Sequence, residues 1–264
     1  MIRLFWHIAQ LAFQQQLTYR SAMLAGLMTN LFFGLLRAFV LSALYGEQGA
    51  VNGMTLVDAV TYVVFSQAMI AFMWIFGSWD VMNSVISGAV GADLLRPVPL
   101  FVLWMARDAG RALVNLVVRG VLLLLIYITF LPIKIPTGLE QWLGLMLALS
   151  LGWLVSYAWR FLVNLAAFWS PDSRGFGRMA FTASQLFSGF FMPLRLYPDW
   201  FGQVCALTPF PALFNAPAEI YLGLLRGEAM WLALLNQLVW FVILAAASHL
   251  VLRAGLRRLV IQGG

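Results

Sequence analysis

Six long apolar runs, separated by short charged stretches, most constrain the fold of this chain of 264 residues. Hydrophobic residues make up 62% of it and charged residues 10%, whereas soluble domains have about 45–50% and about 25%. A helix needs about 20 apolar residues to cross roughly 30 Å of hydrocarbon. The sequence therefore predicts an all-α polytopic membrane protein with six transmembrane helices, within residues 21–45, 55–79, 109–131, 139–169, 179–192 and 230–252.

The remaining composition excludes several kinds of site. Cys205 is the only cysteine, so the chain has no intrachain disulfide and no cysteine-cluster metal site. The two histidines, His7 and His249, stand near opposite ends of the sequence and give no metal-ligand pattern. The formal net charge is +6, but no dense basic stretch or aromatic RNA motif accompanies it. Membrane orientation explains the arginines better than nucleic-acid binding does.

The basic residues predict which end of each helix is cytoplasmic. Cytoplasmic loops are enriched in Lys and Arg. With six crossings and a cytoplasmic N-terminus, the outer segments hold only Lys134, Arg195 and Arg226. Both termini are therefore predicted inside, because the inner segments then hold Arg3, Arg20, Arg96, Arg107, Arg111, Arg174, Arg178, Arg253, Arg257 and Arg258.

Residues 1–20 differ from the spans. Polar side chains from Arg3 to Thr18 recur at helical spacing, and apolar ones such as Phe5, Ala9 and Phe13 share another face. This pattern is typical of an amphipathic helix in the membrane interface. A frayed extension of the first span is the alternative.

Residues 195–226 are apolar but interrupted by four prolines, which remove backbone donors and break helices: Pro198, Pro209, Pro211 and Pro217. Irregular backbone at membrane depth persists only when it is buried in protein or lines a cavity. One or two short re-entrant or interfacial helices are therefore predicted before the last span. A plain apolar outer loop is the alternative.

Residues 80–104 form the longest predicted cytoplasmic segment. Leu94 and Leu95 lie there between Asp93 and Arg96. An apolar patch inside a polar rim suits docking onto a partner. A loop packed against its own helices is the alternative. The sequence has no Walker-type phosphate loop, and Lys134 is its only lysine, so any ATP-driven step requires a second polypeptide.

Two stretches carry a family resemblance: residues 91–98, Gly-Ala-Asp-Leu-Leu-Arg-Pro-Val, and residues 187–210, which begin Phe-Ser-Gly and continue through Pro-Asp-Trp to Pro-Phe. Together with the six runs and the amphipathic N-terminus, they make the chain similar to bacterial permease subunits of ABC-2 type exporters. The resemblance covers residues 1–264 as a single transmembrane domain.

The resemblance implies several partners and a location. Two permeases, commonly two different chains, would pair with two copies of a separate ATPase, which would hold the ATP and magnesium; this chain itself would need no cofactor. The membrane would be the bacterial inner membrane, and the expected cargo would be lipid-like or amphiphilic compounds and drugs. The loop after the second span would supply the coupling helix that enters a cleft of the ATPase, through Gly91, Asp93, Leu94, Leu95, Arg96 and Pro97.

Arg107, Arg111, Asn115 and Arg119 recur every four residues along the third span. Arg119 is predicted near mid-membrane, where a charge is costly and usually faces a bundle interior or a wet cavity. Arg119 and Asn115 are therefore candidates for contacts with the transport pathway or a partner permease. A structural arginine held by helix carbonyls or neighbouring amides is the alternative. Arg37 and Arg160 are expected to snorkel toward the membrane surfaces.

Two other functions are weighed against the exporter. An ion-coupled secondary transporter would need acidic residues in mid-span, whereas Asp58 and Asp80 lie near predicted span ends. A membrane-embedded enzyme or assembly scaffold is the other alternative, but no catalytic set of His, Asp or Ser is apparent.

Overall fold

The computed structural model describes residues 2–46 and 49–258; Met1 and Gly264, the limits of the predicted domain, lie outside these ranges. The described chain is almost entirely helical, as predicted. Its elements, in chain order, are α1 (Ile2–Thr18), α2 (Arg20–Tyr45), β1 (Ala50–Val51), β2 (Met54–Thr55), α3 (Leu56–Met73), α4 (Asp80–Ile86), α5 (Val90–Leu94), α6 (Leu100–Val114), a π-helical segment (Asn115–Val121), α7 (Leu122–Phe130), α8 (Leu139–Asn164), a 3-10 turn (Leu165–Phe168), α9 (Arg174–Phe187), a 3-10 turn (Leu194–Leu196), α10 (Asp199–Ala206), a 3-10 turn (Phe210–Ala212), α11 (Asn215–Leu222) and α12 (Gly227–Leu256).

Five helices in the described chain are long and apolar enough to cross a membrane. The third of them is continuous through α6, the π-helical segment and α7, and so begins at Leu100, well before the predicted start at residue 109. The five are Arg20–Tyr45, Leu56–Met73, Leu100–Phe130, Leu139–Phe168 and Gly227–Leu256.

The predicted span at residues 179–192 is not one long helix. Helix α9 has 14 residues and is about 21 Å long at 1.5 Å per residue, less than the thickness of the hydrocarbon core. At its start, Arg174 donates a hydrogen bond to Asn83, which lies in α4. Beyond its end, the carbonyl of Arg195 accepts one from Asn52, which lies in the β1–β2 hairpin. Helix α9 and the irregular chain after it thus complete the fifth crossing together.

The pairing of α8 with α12 indicates an odd number of crossings between them. Gln237 of α12 bonds the carbonyl of Ala148 in α8, and further along both helices Ser248 bonds the carbonyl of Ala158. Both helices therefore run in the same direction. We call the end of the bundle that carries α1, α4 and α5 the α1 face, and the end that carries the β1–β2 hairpin the hairpin face.

Helix α3 is the central helix of the bundle, with every residue from Asp58 to Met73 buried. A capping box between Thr55 and Asp58 fixes its start. The helix ends at Met73 because Trp74 adopts a left-handed backbone conformation. The prediction that this span continues to residue 79 was therefore wrong.

The amphipathic helix α1 packs along α6. Its buried residues are Ala9 and Ala12, and Gly110 of α6 lies directly against the Ala9 carbonyl, so that a side chain at position 110 would overlap the α1 backbone. Small residues on both helices permit this close approach. The exposed side of α1 carries Trp6 and Leu11.

The segment before α12 dips into the bundle and returns, as predicted for re-entrant helices. From Arg195 at the hairpin face it reaches Ala212, whose carbonyl accepts a 2.8 Å hydrogen bond from Gln237 of α12. Ala212 lies beside Gly152 of α8, which is about 20 Å along that helix from Leu139. The chain then returns through α11, where the Tyr221 carbonyl bonds Gln141 near the start of α8.

Candidate functional site

The predicted coupling residues lie on a short helix that projects from the α1 face. Helix α4 ends at Ile86, Gly88 turns the chain with a φ of +76° that favours glycine, and α5 follows from Val90 to Leu94. Val90 is fully buried and fixes the base of α5 in an apolar cluster with Trp104.

Asp93 anchors α5 to α6. Its carboxylate accepts two hydrogen bonds of 2.9 Å from the guanidinium of Arg107, and Arg96 lies 3.6 Å away. Arg107 also stacks over the Trp104 ring, 4.5 Å from its centroid. Bidentate pairs between Arg and a carboxylate fix orientation as well as distance. Asp93 was expected to face a partner protein; in the structure it is buried and faces its own chain.

The two leucines have different environments. Leu95 is 88% exposed, whereas Leu94 packs against the apolar cluster beneath α5. Arg96 and Pro97 are exposed beside Leu95, and Gly91 is half-buried. Leu94 and Asp93 therefore pack against their own helices, and Leu95 is the apolar side chain presented outward. Docking of this segment onto a partner stays a prediction.

A buried charge cluster lies behind α5, between α6, α8 and the turn that precedes α4. Arg160 of α8 and Asp108 of α6 form a bidentate pair at 2.8 and 2.9 Å, and both side chains are 3% exposed. Trp153 donates to the same carboxylate at 2.9 Å, and Arg160 also bonds Ser78. We call Asp108, Trp153 and Arg160, with Asp80 and Arg111, the charge cluster.

Arg111 extends the charge cluster toward the α1 face. It pairs with Asp80 at the start of α4 and lies 4.0 Å from Asp108. Asn164 accepts a hydrogen bond from the Met82 backbone amide and donates one to the Ser78 carbonyl. Through these bonds α4 is fixed to both α6 and α8.

Sequence reasoning missed the charge cluster. Arg160 was expected to snorkel, but it is buried and paired, and Asp108 lies within a helix rather than at its end. The available signal was two opposite charges inside apolar helices, since a membrane-buried charge requires a partner. Arg37 does not snorkel freely either: it donates to the Phe190 carbonyl at 3.2 Å.

Arg119 and Asn115 lie in the π-helical segment of the third span. The Arg119 guanidinium packs across the backbone of α2 at Gly26, where a side chain would overlap it. Asn115 is buried, and among the described residues its side-chain oxygen has no hydrogen-bond partner. The structure does not bring Arg119 into hydrogen bonds with Gln67, Asn164 or Gln185, its expected amide partners, within the described ranges.

A second ion pair, also unforeseen, holds the re-entrant segment. Glu219 of α11 is 5% exposed and accepts bonds of 2.8 and 3.1 Å from Arg195. These bonds raise the pKa of Arg195 above its ordinary value. Across residues 2–46 and 49–258, no group of three or more His, Cys, Asp or Glu side chains is placed to hold a metal ion.

The chain has six crossings, a re-entrant segment before the last of them, an amphipathic N-terminal helix, and a projecting helix between the second and third crossings. This architecture is that of a multi-pass membrane protein. The family model described as ABC-2 family transporter protein matches residues 31–263, and the chain belongs to that family as an ABC transporter permease. A comparison with curated proteins found no match.

The charge cluster gives a direct stability prediction. Asp108→Asn leaves the Arg160 charge buried without its counter-ion, which costs about 3–5 kcal/mol. The variant should therefore show a clearly lower thermal unfolding midpoint in detergent. Asp80→Asn is the matched control: the side chain of Asp80 is 42% exposed, so its loss should cost about 1 kcal/mol or less. The double change Asp108→Asn with Arg160→Gln should recover part of the loss. Equal destabilisation by the two single changes would contradict a special role for the buried pair.

Proposed function

We propose that this chain is the translocation subunit of an ATP-driven exporter and that residues 88–97 bind a separate ATPase. The observation that carries the proposal is the exposure of Leu95 at the tip of an anchored helix. An exposed leucine on a rigid projection loses little conformational entropy on binding, so most of its buried area contributes to affinity. The ATPase would hold ATP and magnesium, and two copies would serve two permeases.

The anchoring contacts supply a path for the mechanical step. A force on α5 reaches α6 through the pair Asp93–Arg107 and reaches α8 through the contacts of α4 with Asn164. Because α6 and α8 are also joined by Asp108 and Arg160, these elements would move as one body when the ATPase copies close. Rigid-body rotation of packed helices is a common form of such transitions.

We also propose that the α1 face is cytoplasmic, in the inner membrane of a bacterium, with both termini on that side. Three basic residues lie at the hairpin face: Lys134, which pairs with Asp58 at 2.5 Å, Arg195 and Arg226. Those assigned to inner segments lie in α1, at the start of α2, between α5 and α6, in α6, in the first turns of α9, or at the end of α12. This distribution agrees with the enrichment of basic residues in cytoplasmic loops.

Lys134 allows a direct test of orientation, because it carries the only side-chain primary amine and is 47% exposed. A membrane-impermeant amine reagent applied to intact cells should label Lys134, as read by peptide mass spectrometry. The matched control is the pair Lys134→Arg and Arg178→Lys, which moves the amine to the α1 face and should be labelled only after lysis. The reverse labelling pattern would overturn the orientation.

A second permease is proposed to pack beside this one, and the pathway would run between them. The residues of the third span that would contact this pathway or the second permease are Arg119 and Asn115. Arg119 lies in a π-helical segment, a feature frequent at functional sites, and it occupies the crevice between that segment and α2 at Gly26. A cation there can meet a polar group of cargo or of the partner permease.

Arg119→Gln tests this role. Because Arg119 makes no salt bridge within the described residues, the change should leave assembly intact, while transport or cargo preference changes by about tenfold, the loss of one charge-assisted contact. Val118→Gln, at the neighbouring position, is the control for adding an amide. If Arg119→Gln instead removes the protein from the membrane, the arginine is structural.

Leu95→Asp tests the coupling role. A charge placed in an apolar cleft would cost several kcal/mol in desolvation, so the variant should insert normally but lose the ATPase on purification and lose cargo-stimulated ATP hydrolysis. Leu94 is better left intact, since its half-buried side chain packs against the α5 cluster.

Leu139→Asp is the matched control for this experiment. Leu139 is 76% exposed but begins α8 at the hairpin face, beyond reach of an ATPase bound at the opposite end. It should keep the ATPase and its activity. If Leu95→Asp also keeps a full complement of ATPase and normal transport, residues 88–97 are not the coupling element.

A further inference from the structure

A cavity of about 730 Å³ opens at the α1 face between α1, α4 and α6. Its size is in the usual range for small-molecule sites, roughly 300–1,000 Å³. Helix α1 forms one wall with Ile8, Leu11, Ala12 and Gln15, and α4 contributes Asn83 and Ser84. No step of the proposed coupling mechanism uses this cavity.

The charged side chains around the cavity are not balanced. Four arginines line it, Arg96, Arg107, Arg111 and Arg174, together with a single carboxylate, Asp80. Two further carboxylates lie behind the wall: Asp93 is shared by Arg107 and Arg96, and Asp108 is committed to Arg160. Counting Arg160, five guanidinium groups face three carboxylates. The cavity therefore has an excess of two positive charges.

The wall also contains buried donors without acceptors. Among the described residues, Arg111 Nε and Trp104 Nε1 have no hydrogen-bond partner, and both side chains line the cavity. Buried donors in proteins are normally bonded, and an unsatisfied one is destabilising. The cavity wall is rich in donors, which suits a ligand that supplies acceptor oxygens.

The two sides of the cavity differ in polarity. The arginines and the polar residues of α4 lie on one side, while Ile8, Leu11 and Ala12 present apolar surface from α1 on the other. A freely soluble anion would use only the first side. An amphiphile would place its headgroup among the arginines and the start of its apolar part against α1, as expected for a helix in the interface plane.

We propose that this cavity binds the anionic, phosphate-type headgroup of a membrane amphiphile. Exposed Arg174 and Arg96 attract the headgroup, and the guanidinium groups of Arg107 and Arg111, 26% and 22% exposed, donate to its oxygens. The site goes beyond the proposed exporter function, since binding requires neither an ATPase nor transport.

Binding to the purified full-length chain in detergent tests the proposal. Phosphatidylglycerol is the anionic probe and phosphatidylcholine the zwitterionic comparison, both titrated by native mass spectrometry. Each unit of charge near an anionic lipid is worth about a fivefold change in affinity. Arg174→Glu should weaken phosphatidylglycerol binding by about 25-fold and Gln15→Glu by about fivefold.

Each variant has a matched control that does not line the cavity. Arg178→Glu lies one turn further along α9, and Gln14→Glu is the exposed neighbour of Gln15; each should weaken binding less than the cavity variant with the same charge change does. A photoreactive phosphatidylglycerol should crosslink the wild-type chain within residues 8–15 and 80–87, a readout that does not depend on any variant.

Three outcomes would overturn the proposal. Equal weakening by cavity and control variants would show general surface attraction. Absence of crosslinks from the α1 and α4 segments would place the lipid elsewhere. Inorganic phosphate that displaces the lipid at equal concentration would assign the site to a free anion rather than an amphiphile.

Discussion

The ion pair between Asp108 and Arg160 is the interaction on which the α1-face half of the bundle depends. Neither charge can remain in hydrocarbon alone, so α6 and α8 must pack together wherever these residues lie at membrane depth. The carboxylate of Asp108 also accepts a hydrogen bond from Trp153, and the guanidinium of Arg160 also donates one to Ser78. Because Ser78 belongs to the turn after α3, the same pair also fixes where the chain leaves the membrane and begins α4.

The position of α5 follows from that arrangement. With α4 fixed to α8 through Asn164, the chain turns at Gly88 and returns to α6, where Arg107 captures Asp93. Arg107 immediately precedes Asp108 on α6, so two adjacent residues pair one with α5 and the other with α8. A projection held at both ends in this way can transmit a displacement into the membrane without bending, which a loose loop cannot do.

The sequence was sufficient for the features that depend on composition and period. The class of protein, the amphipathic helix α1 and the proline-divided re-entrant segment all follow from apolar run length, helical spacing and missing backbone donors. The limits of the helices could not be predicted in this way. Apolar residues continue through Trp74, although the backbone turns there. The fifth crossing is completed by irregular chain that is bonded to α3 through Tyr62. The partners of Arg160 and Glu219 were also out of reach, since they lie 52 and 24 residues away and charge alone does not reveal a pairing.

The direction in which each coupling residue points could likewise not be predicted from the sequence. A run of Asp-Leu-Leu-Arg indicates an apolar patch with a polar rim, but on a helix of one or two turns consecutive side chains point in different directions. Asp93 and Leu94 therefore face the protein and Leu95 and Arg96 face outward. Arg96 thereby stands between two surfaces, since it flanks the exposed Leu95 and also lines the cavity beneath α1. An ATPase bound at Leu95 would contact a side chain that a headgroup in the cavity also attracts, so occupancy of one surface would change the electrostatics of the other. Leu95 and Arg96 are adjacent, so the two surfaces are separated by less than a Debye length at physiological salt. This electrostatic coupling would therefore need no change in fold.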